Sequence, residues 1–323
     1  MPILTAKPGK NAAPEGVYVT VDALLNLRHI AKELSLENNR KNVAMMDGDS
    51  RSSFRGRGME FSEVRPYQPG DDIRNIDWRV TARTQKTHTK LFQEERERPV
   101  YIVVDQRSPM FFGSVTQFKS VFAAKIATVI AWVALQSNDR IGGFIFSDTN
   151  QTDSRARRGK HSALSFIHEL VEYNQELNSP IGDPQFSMEN MLNDIRRVAK
   201  PGSAVFVISD FHDFNDACQE PLAVLARHCD VTAIQIFDPL ESKLPTDKFL
   251  SITNGDEKLN LGGQPQEFAQ TYQSAFENRL FSLRKACNQT GVNLASTSVE
   301  QSTTALMQDL FRARRTTTRG GRT

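Results

Sequence analysis

The sequence predicts a doubly wound α/β fold, a mostly parallel sheet covered on both faces, preceded by a helical and irregular N-terminal extension. Short continuous apolar runs such as Val100–Val104 and Ala204–Ile208 read as strands buried on both faces. They alternate with amphipathic helical patterns, which implies crossover connections and therefore parallel pairing. The composition agrees: 323 residues, 39% hydrophobic and 24% charged, describe an ordinary globular chain and exclude a disordered, fibrous or disulfide-stapled one.

The first twenty residues, rich in Pro, Gly and Ala, read as a loose arm. Val21 to Leu36 carries Leu24, Leu27, Ile30 and Leu34 at helical spacing, with Asp22 as a cap. A polar stretch through Gly58 reads as loop or weak strand. From Pro99 the period changes. The strands are expected at Val100–Val104, Ile141–Phe146, Ala204–Ile208, Val231–Phe237 and Val292–Ala295. The helices between and after them are expected at Val115–Leu135, Ala163–Leu177, Met188–Val198, Asp216–His228, Glu267–Asn288 and Thr303–Arg312, with a hairpin before Gly262. These readings divide the chain into an arm and helix (1–54), a segment packed on the main domain (55–98), the α/β domain (99–312) and a basic tail (313–323).

Glu60–Glu97 breaks the alternation and is dense in charge of both signs. Pro69-Gly70 is a turn pair, and Asp71 or Asp72 can cap a short helical turn whose Ile73, Ile76 and Val80 point inward. Phe61, Tyr67 and Trp78 add apolar area that should be buried, and Lys90–Gln93 should form an extended strand leading into the sheet. The acidic neighbours of its basic residues suit ion pairing better than a nucleic-acid groove.

Several function classes are disfavoured. Forty Lys plus Arg against thirty-eight Asp plus Glu give a net charge of +2, so no chain-wide field points to nucleic acid or anionic lipid. The most apolar run, Ile126–Leu135, is half the roughly 20 residues that a membrane span needs, so no insertion is expected. Cys218, Cys229 and Cys287 have no metal or redox spacing and read as buried thiols, with a reducing cytoplasm as the expected compartment.

Doubly wound folds place their sites at the carboxyl ends of strands. There the sequence puts Asp105, ending the first strand, and Asp210, ending VFVISD. Two such carboxylates could converge on one hard cation such as Mg²⁺, or each could cap the loop that follows. Asp210, His212 and Asp213 form a second acidic and imidazole cluster, but no nucleophile motif or phosphate loop accompanies it, which leaves a hydrolase a distant alternative. His161 and His168, seven apart on a helix, are too far separated to share a metal.

The run GRGMEFSEVRPYQPGDDIRNIDWRVTART, then TKLFQEERERPVYIVVD, Lys119 and NDRIGGFIF, resembles the bacterial domain-of-unknown-function family 58. Its motif positions here are Arg65, Tyr67, Pro69, Gly70, Asp71, Asp72, Arg74, Asp77, Trp78 and Arg83. The resemblance implies a von Willebrand factor type A-like fold and a non-catalytic adaptor role beside a MoxR-type AAA+ ATPase. Other type A domain proteins are possible partners. Type A domains bind Mg²⁺ through an Asp-x-Ser-x-Ser loop; here Asp105 matches the first ligand, but Arg107 and Pro109 replace the two Ser, and Ser108 has the wrong offset. A degenerate site of Asp105, Arg107, Ser108 and Asp210 is therefore expected, without a cofactor, its cation replaced by Arg107 lying near Asp105 or Asp210. A Mg²⁺-dependent ligand-binding domain is the alternative.

Overall fold

A computed structural model describes residues 16–34, 59–94, 97–176, 185–244, 251–253, 258–260 and 266–317. The residues form two compact units, 1–39 with 98–323, and 40–97.

The larger unit begins with helices α1 (Val21–Asn26) and α2 (Arg28–Glu33). One continuous helix was expected; two short ones form, and Thr20 rather than Asp22 caps the first, its Oγ1 accepting from the Ala23 N–H at 3.3 Å. The smaller unit holds β1 (Met59–Pro66), α3 (Trp78–Thr84) and β2 (His88–Glu94). The chain then returns to the larger unit with β3 (Pro99–Asp105), α4 (Lys119–Gln136), β4 (Arg140–Phe146), β5 (Gln151–Arg157), α5 (Lys160–Gln175) and α6 (Met188–Val198). There follow β6 (Ala204–Ser209), α7 (Gln219–His228), β7 (Asp230–Phe237), α8 (Pro239–Ser242) and the short hairpin β8 (Ser251–Thr253) with β9 (Lys258–Asn260). Helix α9 (Gln266–Thr290), strand β10 (Asn293–Ser298) and helix α10 (Thr303–Thr317) complete it.

Six strands form one sheet in the order β10-β7-β6-β3-β4-β5. All neighbours pair in parallel except β5, which runs antiparallel on β4 at the edge. Strand β3 is central, flanked by β4 and β6, and its alternate residues feed two cores. Val100, Ile102 and Val104 pack with α4 and α5 on one face, while Tyr101 and Val103 face α6 and α7 on the other. This two-sided burial explains why the run is continuously apolar. Gly143 on β4 allows close approach of α5: a Cβ there would stand 2.3 Å from the buried ring of Phe166. Helix α4 is long and apolar enough to cross a bilayer, and 83% of it is buried in the core.

The structure departs from the sequence reading at definable places. Helix α4 starts at Lys119 rather than Val115, because Ser114 is held to Asp238 by its N–H at 2.7 Å and Val115 is 55% exposed. Strand β5 was not anticipated: QTDSRAR is polar, and its half-exposed edge position needs no apolar run. Strand β2 does not lead into the main sheet; it pairs antiparallel with β1, itself unanticipated, in a separate two-stranded sheet. In that smaller unit Ile73 and Trp78, expected inward, are 67% and 70% exposed. Caps rather than an apolar face fix these turns: the carboxylate of Asp72 accepts from the Arg74 N–H, and that of Asp77 from the Arg79 and Val80 N–H groups. The polar stretch before Gly58, the turn at Gly262 and the end of the basic tail lie outside the described residues.

Candidate functional site

The sheet changes winding direction between β3 and β6, so the crevice above their carboxyl ends is the place where this fold builds sites. Strand β3 delivers Asp105 there, fully buried, and the next turn brings back Arg107, 1% exposed. The guanidinium is bidentate on Asp105, with Nε to Oδ1 at 3.0 Å and Nη2 to Oδ2 at 2.8 Å. It is bidentate again on Asp213 from the loop after β6, at 2.7 and 2.9 Å, and Nη1 also donates to the Phe186 carbonyl at 3.2 Å. All five guanidinium N–H donors therefore have acceptors. The Arg107 cation lies 5.0 Å from the centre of the Phe146 ring. Burial disfavours its charge, but Asp105 and Asp213 outweigh that and raise its affinity for the proton.

The carboxylate oxygens are as fully engaged as the cation. Asp105 Oδ1 also accepts from the Arg107 backbone N–H at 3.0 Å, and Oδ2 from Ser209 Oγ at 2.6 Å. Ser209 Oγ in turn accepts from the N–H of Phe211, whose φ of 54° is left-handed. A bulky residue rarely adopts that conformation, so the surrounding contacts must hold it. Asp213 Oδ2 accepts the N–H of Met188, which ties the start of α6 into the same network.

Asp210 belongs to a second network. Its Oδ2 accepts from Lys119 Nζ at 2.7 Å, and its Oδ1 faces the backbone N–H and Nδ1 of His212 at 3.1 and 3.0 Å. Lys119 opens α4 and also donates to Glu241 Oε1 at 2.5 Å. Glu241 completes a capping box with Asp238, which holds Ser114. Burial opposes the charge on Lys119, but Asp210 and Glu241 raise its pKa above the usual value. Burial alone would raise the pKa of Asp210, but Lys119 and His212 hold it well below the normal carboxylate range. His212 follows the same logic: burial lowers its pKa, and the hydrogen bond and charge of Asp210, with Asp213 beyond, more than restore it.

The expected convergence of Asp105 and Asp210 on one cation is thus corrected. Asp105 takes Arg107 and Asp210 takes Lys119, because two side-chain cations reach the crevice from opposite sides. Ser108 is not beside Asp105 either; its N–H bonds Asp148 at 2.9 Å, and its hydroxyl donates to the same carboxylate oxygen. These donors do not suit Mg²⁺, which needs near-octahedral oxygen ligands, because the guanidinium already occupies the space between Asp105 and Asp213. Among the described residues no group of three or more His, Cys, Asp or Glu is placed to hold a metal. His161 and His168 stand exposed on α5.

The motif residues lie together in the smaller unit. Arg65 pairs with Asp71 at 2.7 Å, and Asp77 caps α3 while facing Lys90 at 3.7 Å. Pro69 and Gly70, with φ of 107° at Gly70, form the turn after Tyr67. Local pairing was expected of every motif charge, but Arg74 and Arg83 are exposed and make no ion pair among the described residues, since the nearby acids act as caps.

Residues 63–279 match the family described as "Protein of unknown function DUF58". The chain is similar to an uncharacterised protein of Mycobacterium bovis, 31% identical over 66% of each chain, so it spans slightly under two thirds of that relative's length. Two solved structures, each 14% identical, are similar in outline. One is a von Willebrand factor type A protein from Catenulispora acidiphila, with a TM-score of 0.41 over 73% of this chain and 45% of the other. The other is an aerotolerance-related membrane protein from Bacteroides fragilis, with a TM-score of 0.40 over 66% and 96%. With a membrane protein among these neighbours, the cytoplasmic expectation is withdrawn. Its premise was weak, since Cys218, Cys229 and Cys287 are buried thiols, and a buried thiol reports packing rather than compartment.

Substituting Arg107→Leu should destabilise the protein by about 3–5 kcal/mol in urea unfolding, because it strands Asp105 without a counter-charge. Adding Asp105→Leu should recover most of that loss, since Asp213 is 24% exposed and can turn to water. Equal losses in the single and double variants would contradict this account. The folded His212 holds its proton above the unfolded value of about 6.5, so its contribution is complete below that pH and is lost as pH rises through the raised value. The stability advantage of the natural protein over His212→Gln should therefore shrink as pH rises above about 6.5, and a constant difference would refute the pairing.

Proposed function

The chain belongs to the DUF58 family, and we propose that it is a non-catalytic type A-like interaction module working with a MoxR-type AAA+ ATPase. The observation that carries this reading is the saturation of the crevice: all five guanidinium donors of Arg107 are engaged, on Asp105, Asp213 and the Phe186 carbonyl. A catalyst keeps at least one acid, base or nucleophile free to meet substrate. His212 engages Asp210 through Nδ1 alone, and no Ser, Thr or Cys hydrogen-bonds its ring among the described residues, so it has no side-chain nucleophile to activate there. That weighs against the hydrolase alternative. The occupied carboxylates likewise weigh against Mg²⁺-dependent ligand binding. The ATPase partner rests on the sequence motif, whose exposed Arg74, Trp78 and Arg83 offer a surface that folding of the smaller unit leaves open.

Binding of the purified full chain to the MoxR-type ATPase encoded in the same genome tests the proposal. A saturable complex is expected, weakened at least tenfold by Trp78→Ala with unchanged melting, as befits an exposed aromatic anchor. No complex in any nucleotide state of the ATPase would overturn it.

A further inference from the structure

Beside the two ion-pair networks, at the carboxyl ends of β6 and β7, a cleft opens between the His212 loop and α9. Asp210, His212, Gln235, Glu241, Phe276 and Arg279 are among its lining residues. Its cavity volume of about 30 Å³ suits one small polar head, not a nucleotide or an organic cofactor.

The acids lining this cleft are engaged and the donors are not. Both oxygens of Asp210 are held by Lys119 and His212, and both oxygens of Glu241 by Lys119 and the Asp238 N–H. By contrast, His212 uses only Nδ1; in the imidazolium, where both ring nitrogens carry protons, the Nε2–H is left without a hydrogen bond among the described residues. Arg279 makes no ion pair among them either. Gln235 is 5% exposed; its Oε1 accepts from Ser296 Oγ at 2.6 Å, while Nε2 makes no hydrogen bond among the described residues. That amide can donate to a ligand oxygen placed in the cleft, which Gln235 helps to line. Phe237 and Phe276, with ring centres 5.4 Å apart, add an apolar wall.

We propose that this cleft binds a carboxylate, received by Arg279, Nε2 of His212 and the amide of Gln235, with the attached carbon chain against Phe237 and Phe276. A monoanion fits better than a phosphate dianion, because the negative charges of Asp210 and Glu241 stand at the same walls. The planar fork of a guanidinium also matches a carboxylate edge. The site does not require the ATPase partnership; it concerns a different face chemistry and can be tested on the isolated full chain. The carboxylate could come from a free small acid or from the side chain of a partner protein.

The probes are 3-phenylpropionate, its amide, and blocked Phe-Glu and Phe-Gln dipeptides, titrated into the isotope-labelled full chain by NMR. The acid should bind at least about tenfold more tightly than its amide, as expected for a charge-assisted hydrogen bond. Arg279→Gln should abolish that preference while melting stays unchanged, since the residue is exposed on α9. Tighter binding of the free acid than of the Glu dipeptide supports the site as one for a small acid. The reverse order supports it as one for a partner's side chain. Equal binding of acid and amide, a preference that survives Arg279→Gln, or no binding of any probe overturns the proposal.

Discussion

A buried guanidinium between two carboxylates governs the carboxyl end of this sheet. Without Arg107, Asp105 at the end of β3 and Asp213 in the loop after β6 would face each other uncompensated. Like charges at 4 Å repel by about 4 kcal/mol at an effective dielectric of 20. With Arg107 in place the same two groups become the fixed points of three segments, the turn after β3, the loop after β6 and the start of α6. The left-handed backbone of Phe211 and the hydrogen bond from Ser209 to Asp105 follow from that arrangement.

Lys119 repeats the device twelve residues later in the chain. It enters from the first turn of α4, is 1% exposed at its side chain, and joins Asp210 to Glu241. Together the two cations divide the work that a single bound ion would do if it bridged Asp105 and Asp210. The division has a functional consequence. A covalently attached cation cannot be exchanged for a ligand atom, so the crevice is a permanent structural element. In the proposed reading, recognition falls to its surroundings, the cleft beside β7 and the exposed motif surface of the smaller unit.

Much of this was legible in the sequence. Continuous apolar runs gave the central strands, because burial on both faces leaves no room for a polar period. Arg107 could be expected near Asp105 because two residues in one turn cannot be far apart. The choice of Asp213 over Asp210 as its second partner could not, since the two acids share one loop, with the left-handed Phe211 between them, and sequence order does not say which way each points. Lys119 entered the sequence reading only through the family resemblance, because its partners lie 91 and 122 residues away, and Glu241 carried no local signal. Edge strand β5 escaped for a related reason, since a half-exposed strand needs no apolar pattern, and β1 is defined by its pairing with β2. Ile73 and Trp78 misled because apolar character alone does not bury a residue when caps set the turn.

The most direct test of the central claim is to follow the Arg107 side-chain nitrogens by ¹⁵N NMR while Mg²⁺ is titrated into the full-length protein. A guanidinium held by five acceptors and shielded from water should give separate, slowly exchanging Nε and Nη signals that do not move with added Mg²⁺. Signals that shift and merge toward those of a solvent-exposed arginine as Mg²⁺ saturates would show that the ion displaces the side chain. The crevice would then be a metal site that Arg107 merely guards.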